Sequence, residues 1–133
     1  VLLHKGIDLK NMRILHTGEF LRLIREEHWE YVQRVKASGA AIIIAVTPEQ
    51  KVLLVEQHRI PLNARTIEMP AGIIGDEAEH SAESHEEAAR RELLEETGYE
   101  ARHVEAVARG ASSAGVTSEV VTMFLASDLR KVH

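Results

Sequence analysis

The chain has no cysteine among its 133 residues, so neither a disulfide framework nor a thiol nucleophile enters its chemistry. Long apolar runs are also missing. The longest, Ala40 to Val46, falls far short of the roughly 20 residues that span a bilayer, and no signal-like start is visible. A cytoplasmic location without a membrane partner is therefore expected. No lysine or arginine stripe occurs and the formal net charge is -5, which argues against a long nucleic acid as partner. No internal repeat or low-complexity linker is evident, and a chain of this length buries one reasonable core rather than two.

What is present is a local concentration of acid. Between Asp76 and Glu96 there are nine carboxylates and two arginines, whereas the rest of the chain carries twelve acidic and fourteen basic residues. An acidity so confined asks for a local counterion.

A helix holds most of this cluster. Ser84 followed by Glu87 reads as a capping box, and Gly98 supplies a C-terminal stop, which predicts a helix from about His85 to Thr97. At about 100° per residue Glu92, Glu95 and Glu96 share one arc, with Ala89 and Leu93 on the adjoining apolar face. Ala88 falls in the acidic arc too, and its small side chain is expected to leave room for something to approach.

Carboxylates at these spacings repel one another and raise each other's proton affinity. A hard divalent cation removes that penalty. Mg²⁺ favours oxygen ligands and is commonly shared between carboxylates and phosphates, with Mn²⁺ as a chemical substitute. On spacing alone the cluster reads equally well as a solvated glutamate-rich face, which accounts for Glu86 and Glu87.

The surrounding order favours the cation. Met69-Pro70-Ala71-Gly72 is followed by Glu83 and then by Arg91-Glu92-Leu93-Leu94-Glu95-Glu96-Thr97-Gly98-Tyr99. This order resembles the signature box of the Nudix hydrolases, enzymes that hydrolyse nucleoside diphosphates linked to another group. From Glu83 onward the match is complete. Gly72, however, lies ten intervening residues before Glu83 where the family pattern has five, so Ile73 to Ala82 reads as a loop with an insertion, placed at Gly75 to Glu79.

The resemblance implies metal ligation by Glu92 and Glu96, with Glu95 as a further ligand or a carboxylate that orients water. It also implies a backbone carbonyl from Ala71 and a ligating or supporting role for Glu83. Arg91 would hold the acidic loop to the helix by charge-assisted hydrogen bonds. An ordinary exposed arginine paired at helical spacing is the plainer reading of Arg91.

Around the box the sequence reads mainly as strands. Met12 to Thr17, Glu19 to Arg25 and Glu27 to Val35 come first. Ala40 to Val46 and Lys51 to Gln57, flanking the turn Pro48-Glu49-Gln50, predict a hairpin. Ile67 to Met69, Val104 to Ala108 and Glu119 to Ala126 supply the remainder. The order fits an α/β or α+β domain with mixed sheets, which the resemblance sharpens to an α/β/α sandwich at 36–133 preceded by an N-terminal antiparallel strand region at 1–35. The family's usual last strand and C-terminal helix are not visible in the sequence to His133, so the expectation is either a branch that ends early or a domain incomplete at its C-terminus.

Leu54 to Arg59, Glu68 to Gly72 and Trp29-Glu30 look like the ADP-ribose and nucleotide-sugar pyrophosphatase branch, whose N-terminal strands commonly help form a dimer. Leu15, Phe20, Leu21 and Trp29 provide apolar side chains for such a homodimer. Trp29 is a stacking candidate for a purine, although a single tryptophan also serves to fill a core or interface. Arg59 is a diphosphate-binding candidate by its bidentate donors, or else a surface arginine at a strand end. Glu68 is a candidate for positioning a loop or ribose.

The segment from Gly110 to Ser118 reads as a flexible connection by composition. Glu119 at its end matches a family glutamate that binds metal or activates water. Ala114 stands where the branch usually has proline, which loosens the substrate expectation without touching the hydrolase one. The implied reaction is Mg²⁺-dependent cleavage of ADP-ribose or a related nucleoside diphosphate sugar into a nucleoside monophosphate and a sugar phosphate. A nucleotide-binding module without turnover is the alternative.

Overall fold

Three antiparallel strands come first. In the computed structural model, which describes residues 11–76, 80 and 82–133, β1 (Met12–Thr17), β2 (Leu21–Glu26) and β3 (Trp29–Arg34) form one sheet in that order. Gly18 donates to the Leu21 carbonyl at 2.7 Å in the first turn, and Glu27 adopts a left-handed conformation (φ 53°) in the second. Ile24 is the buried side chain of this sheet. Met12, Ile14, Leu15, Leu21 and Trp29 remain exposed.

The apolar run becomes β4 (Gly39–Ala45), followed by β5 (Val55–Arg59), a 3₁₀ turn at Ile60–Leu62, β6 (Ala64–Glu68) and β7 (Ala71–Ile74). Helix α1 (His85–Thr97) then leads into the long strands β8 (Tyr99–Ala111) and β9 (Val120–Lys131). The main sheet has the order β7-β4-β9-β8, with β4 and β9 parallel and the other neighbours antiparallel. A mixed sheet covered by a helix is the α/β arrangement expected, consistent with the α/β/α sandwich that the resemblance implies, with one α-helix among the described residues.

The predicted hairpin of Ala40 to Val46 with Lys51 to Gln57 does not form as expected. The turn is present: Thr47 donates to Lys51 at 2.8 Å and Gln50 to Thr47 at 2.9 Å. Beyond it the pairing stops at the bridge between Val46 and Val52 and a 2.9 Å bond from Leu53 to the Ala45 carbonyl. Both edges of β4 are already taken by β7 and β9. Strand β5 therefore pairs with β6, where Gln57 and Arg59 meet Glu68 and Arg65 meets Glu56 across the ribbon.

A second correction concerns the segment after Gly72. Ile73 and Ile74 are not loop but the end of β7, paired with Ala40 and Gly39. Of the supposed insertion at Gly75 to Glu79, residues 77–79 lie outside the described residues.

The core sits between α1 and one face of the main sheet. Ala88, Ala89 and Leu93 pack against Ala41, Ile43, Ala45, Ile74, Phe124 and Ala126. Ala88 is thus a core residue, not an opening in the acidic arc, and two small alanines let the helix approach the sheet closely. The opposite face carries Ala40, Ile42, Ile73, Val121 and Met123, which line a cavity. Helix α1 and the edge strand β7 set the positions of Glu92 and Glu96.

Candidate active site

The ends of α1 are fixed by local chemistry. Ser84 Oγ accepts from the Glu87 N–H at 3.1 Å, and Glu87 Oε2 accepts from the Ser84 N–H at 2.8 Å. The Ser84 hydrogen bonds hold the Glu87 carboxyl below its ordinary range, the backbone one first. Gly98, left-handed at φ 73°, donates to the Leu94 carbonyl and ends the helix. These caps fix where the helix begins and ends, and the packing of Ala88, Ala89 and Leu93 on the sheet turns Glu92 and Glu96 toward β7.

Their meeting with β7 depends on Gly72. A Cβ built on Gly72 would lie 1.9 Å from the Glu92 carboxyl carbon, so any side chain there would have to push the Glu92 carboxylate out of its place. One residue earlier, the Ala71 N–H donates to Glu96 Oε2 at 3.0 Å. Pro70, fully buried, accepts from the Ile43 N–H at 2.8 Å and anchors the start of the strand. Backbone and carboxylates are thus pressed together at the sheet edge.

Arg91 organises the acidic side chains around it. Its Nε and one terminal nitrogen donate to the two Glu83 oxygens at 3.0 and 3.2 Å, while the other terminal nitrogen reaches Glu92 at 2.8 Å and Glu95 at 3.2 Å. The Glu83 bonds chiefly raise the already high proton affinity of the guanidinium. Glu92 nonetheless has its carboxyl pushed up, because burial outweighs the Arg91 contact and Glu95 and Glu96 add repulsion. Glu96 is raised as well, by partial desolvation first, against the Ala71 hydrogen bond.

A cavity of about 700 Å³ opens beside this edge. Its lining includes the carboxylates Glu68, Asp76, Glu92, Glu96 and Glu119 against the guanidiniums of Arg34 and Arg59. The excess of carboxylates repels a bare diphosphate, so an anionic substrate needs an accompanying cation. Arg59 is tied to Glu68 by hydrogen bonds at 3.0 and 3.2 Å, and Gln57 donates to the same carboxylate at 2.7 Å.

Of the residues expected from sequence, Glu92, Glu96, Ala71, Arg59, Glu68 and Glu119 share this cavity. Glu83, Arg91 and Glu95 join them through the Arg91 hydrogen bonds. Trp29 is elsewhere. It lines a separate cavity of about 300 Å³ with Glu26, Tyr31, Gly115 and Thr117. There Tyr31 donates to Glu26 at 2.9 Å, and burial first, then Glu26, raises the phenol's proton affinity.

Four contributors were not anticipated. Gly72 was read only as a motif position, although a glycine inside a strand is a known signal for close backbone approach. Asp76 and Gln57 line the cavity without any local mark of it. Arg34 pairs with Glu119 from 85 residues away, a separation at which no sequence spacing helps.

Among the described residues no three or more His, Asp or Glu side chains are arranged to hold a metal ion. The chemistry of the donors nevertheless fits a hard divalent cation, since the lining offers carboxylate and backbone oxygens and neither imidazole nor thiolate. The raised proton affinities of Glu92 and Glu96 are what a bound cation relieves. Engagement of Glu96 by Ala71 and of Glu92 by Arg91 is what the side chains must give up to enclose one.

The family model of the NUDIX domain matches residues 36–130, and the chain belongs to the Nudix hydrolase family. Within it the chain is related to the ADP-ribose and nucleoside diphosphate sugar pyrophosphatases. An ADP-ribose pyrophosphatase of Bacillus subtilis (strain 168) is 40% identical over 97 residues, which are 71% of this chain and 49% of that protein. A methanol dehydrogenase activator of Bacillus methanolicus is 38% identical over 97 residues, 73% of this chain and 50% of its own. The chain thus spans about half the length of these curated relatives. A crystal structure of an ADP compounds hydrolase shares the fold, with a TM-score of 0.74 at 18% identity over 96% of this chain and 72% of that one. Among the described residues no helix is long and apolar enough to cross a membrane.

Proposed function

We propose that the chain hydrolyses the diphosphate linkage of ADP-ribose or a related nucleoside diphosphate sugar with Mg²⁺, for which Mn²⁺ can substitute. The observation that carries this reading is the seating of Glu96 on the Ala71 N–H and of Glu92 against the side-chain-free Gly72, in the lining of a cavity that also holds Arg59 and Glu119. The identity to an ADP-ribose pyrophosphatase supports the substrate class.

Glu92, Glu96 and the Ala71 carbonyl would hold the ion, with Glu83 and Glu95 supporting them through Arg91. A divalent cation held there would supply charge neutralisation and polarisation at the phosphorus under attack. Glu119 orients a water and takes its proton, the water oxygen bonds to phosphorus, and the bridging P–O bond breaks. The departing phosphate leaves as part of a sugar phosphate, and the other product is a nucleoside monophosphate. No protein side chain becomes covalently attached.

Arg59 binds the diphosphate in place of part of its hold on Glu68, and Glu68 is then available to the ribose. Trp29 stacks on the base. Because Trp29 lines a cavity of its own, the base has to reach across from the acidic site, or a second copy has to present the tryptophan. A homodimer through the N-terminal strand region, residues 1–35, accommodates the exposed Leu15, Phe20, Leu21 and Trp29 and leaves 36–133 as the catalytic domain.

The test is turnover by the purified chain on a panel of nucleoside diphosphate sugars with and without Mg²⁺, with both products identified. Metal-dependent release of a nucleoside monophosphate and a sugar phosphate is the expected result. Tight binding of ADP-ribose with no product overturns the reading in favour of a nucleotide-binding module.

A further inference from the structure

The loop between β8 and β9 is poor in anything that would stiffen it from within, since Ser112, Ser113, Gly115 and Ser118 dominate it. Yet it ends at Glu119, a carboxylate that must be held in one place to work on water. Some of the order is internal: Val116 and Thr117 both donate to the Ser113 carbonyl at 3.0 Å, and the Glu119 N–H donates to Thr117 Oγ1 at 3.1 Å. The rest comes from the N-terminal sheet.

Strand β3 has β2 on one edge and docks the loop on the other. The Val32 N–H donates to the Val116 carbonyl at 2.9 Å, and the Ser118 N–H donates back to the Val32 carbonyl at 3.2 Å. These two bonds make a parallel bridge between Val32 and Thr117. Chains in a parallel register stay in step, so two residues further on Arg34 faces Glu119. There the Arg34 Nε–H donates to Glu119 Oε2 in a charged hydrogen bond. The Glu119 side chain is 17% exposed and that of Arg34 33%, so water screens the pair only in part.

We infer that Arg34 is a positioning residue for Glu119, and that β3 is through it a working part of the active site. The inference rests on the proposed role of Glu119 in handling the attacking water. The parallel bridge places the glutamate backbone, and the guanidinium fixes the direction of its carboxylate. With Glu92, Glu96, Glu68 and Asp76 lining the same cavity, a fixed cation also keeps the Glu119 carboxylate from being driven away by its neighbours. An arginine that bound substrate directly would act on affinity. One that acts through Glu119 shows itself in turnover.

The experiment compares Arg34→Met, Arg34→Lys, Glu119→Gln and the double variant R34M/E119Q with the parent, by Mg²⁺-dependent kinetics on ADP-ribose and by amide hydrogen exchange of the segment 112–119. R34M is expected to lower kcat about 10–100-fold with KM within about threefold. R34K should recover part of the loss, because it keeps the charge without the guanidinium fork. In the E119Q background R34M should cost nothing further. Exchange across 112–119 should quicken in R34M and lie between the two in R34K.

A rise in KM alone, or losses that multiply in the double variant, would overturn the inference and make Arg34 a substrate contact or an independent element. A parent without turnover defeats the hydrolase reading instead. In that case the exchange comparison still decides, and unchanged exchange in R34M overturns the inference. Should R34M fail to fold, R34K carries the same comparison.

Discussion

Gly72 and Glu92 touch as backbone and carboxylate, twenty residues apart in sequence, with no room between them for a single methyl group. The contact joins the two halves of the acidic motif, and it makes glycine a requirement of space at this position. A Gly72→Ala substitution must displace the far end of the Glu92 side chain, which is flexible, and so should leave the fold largely intact. Misplacement of about 1 Å at a reacting centre costs on the order of 100-fold, and kcat/KM for G72A should fall by at least that much. Full activity in G72A would mean that the carboxylate of Glu92 is not needed where it now sits.

Glu96→Gln and Glu92→Gln should lose activity by more than the roughly 10–100-fold typical of residues that only support a metal site. Glu86→Gln should be nearly silent, since Glu86 is exposed and pairs with Arg90. Kinetics at limiting Mg²⁺ separate the three. E96Q that stays nearly fully active under those conditions contradicts its assignment as a ligand.

The same carboxylates give a pH signature. The Glu92 carboxyl is raised above its ordinary 4.5 by burial, so in the metal-free protein this group favours folding below its unfolded value, and that advantage is lost as pH rises through the folded one. E92Q should therefore melt higher than the parent near neutral pH. The difference should shrink as pH falls toward and below 4.5. Melting curves across that range check the sign, and a variant that melts lower at neutral pH reverses it.

The site could be read from the sequence where its chemistry was local. Ser84, Glu87 and Gly98 lie within a few residues of the groups they cap, and α1 has the limits they imply. The strand pairing of β5 could not be read in this way, because whether it joins β4 depends on β7 and β9 having filled both of β4's edges. Ala88 was misplaced for a related reason: the helical arc says which side chains are neighbours, but the sheet decides which of them it covers. The pairing of Arg34 with Glu119 is set by a register between two segments far apart in the chain.

The proposed homodimer makes a solution prediction. Phe20 is 72% exposed and has no part in the core, so Phe20→Asp should disturb association without unfolding the chain. Mass measurement at micromolar concentration is expected to give twice the chain mass for the parent and a shift toward the single chain for F20D. A monomeric parent contradicts the dimer.

Trp29 is half exposed, so its removal should be tolerated by the fold. A stacked base is worth about 1–3 kcal/mol, and Trp29→Ala should raise KM for ADP-ribose by roughly 5–150-fold with little change in kcat. Unchanged KM in W29A would remove the tryptophan from the substrate site.

The most direct measurement compares kcat/KM for ADP-ribose, several nucleoside diphosphate sugars, nucleoside triphosphates and dinucleoside polyphosphates, each with Mg²⁺ and with chelator. ADP-ribose or a nucleoside diphosphate sugar should lead the panel, with turnover abolished by the chelator and a nucleoside monophosphate plus a sugar phosphate as products. Clear superiority of the triphosphates or dinucleoside polyphosphates, or turnover that survives metal removal, would contradict the account.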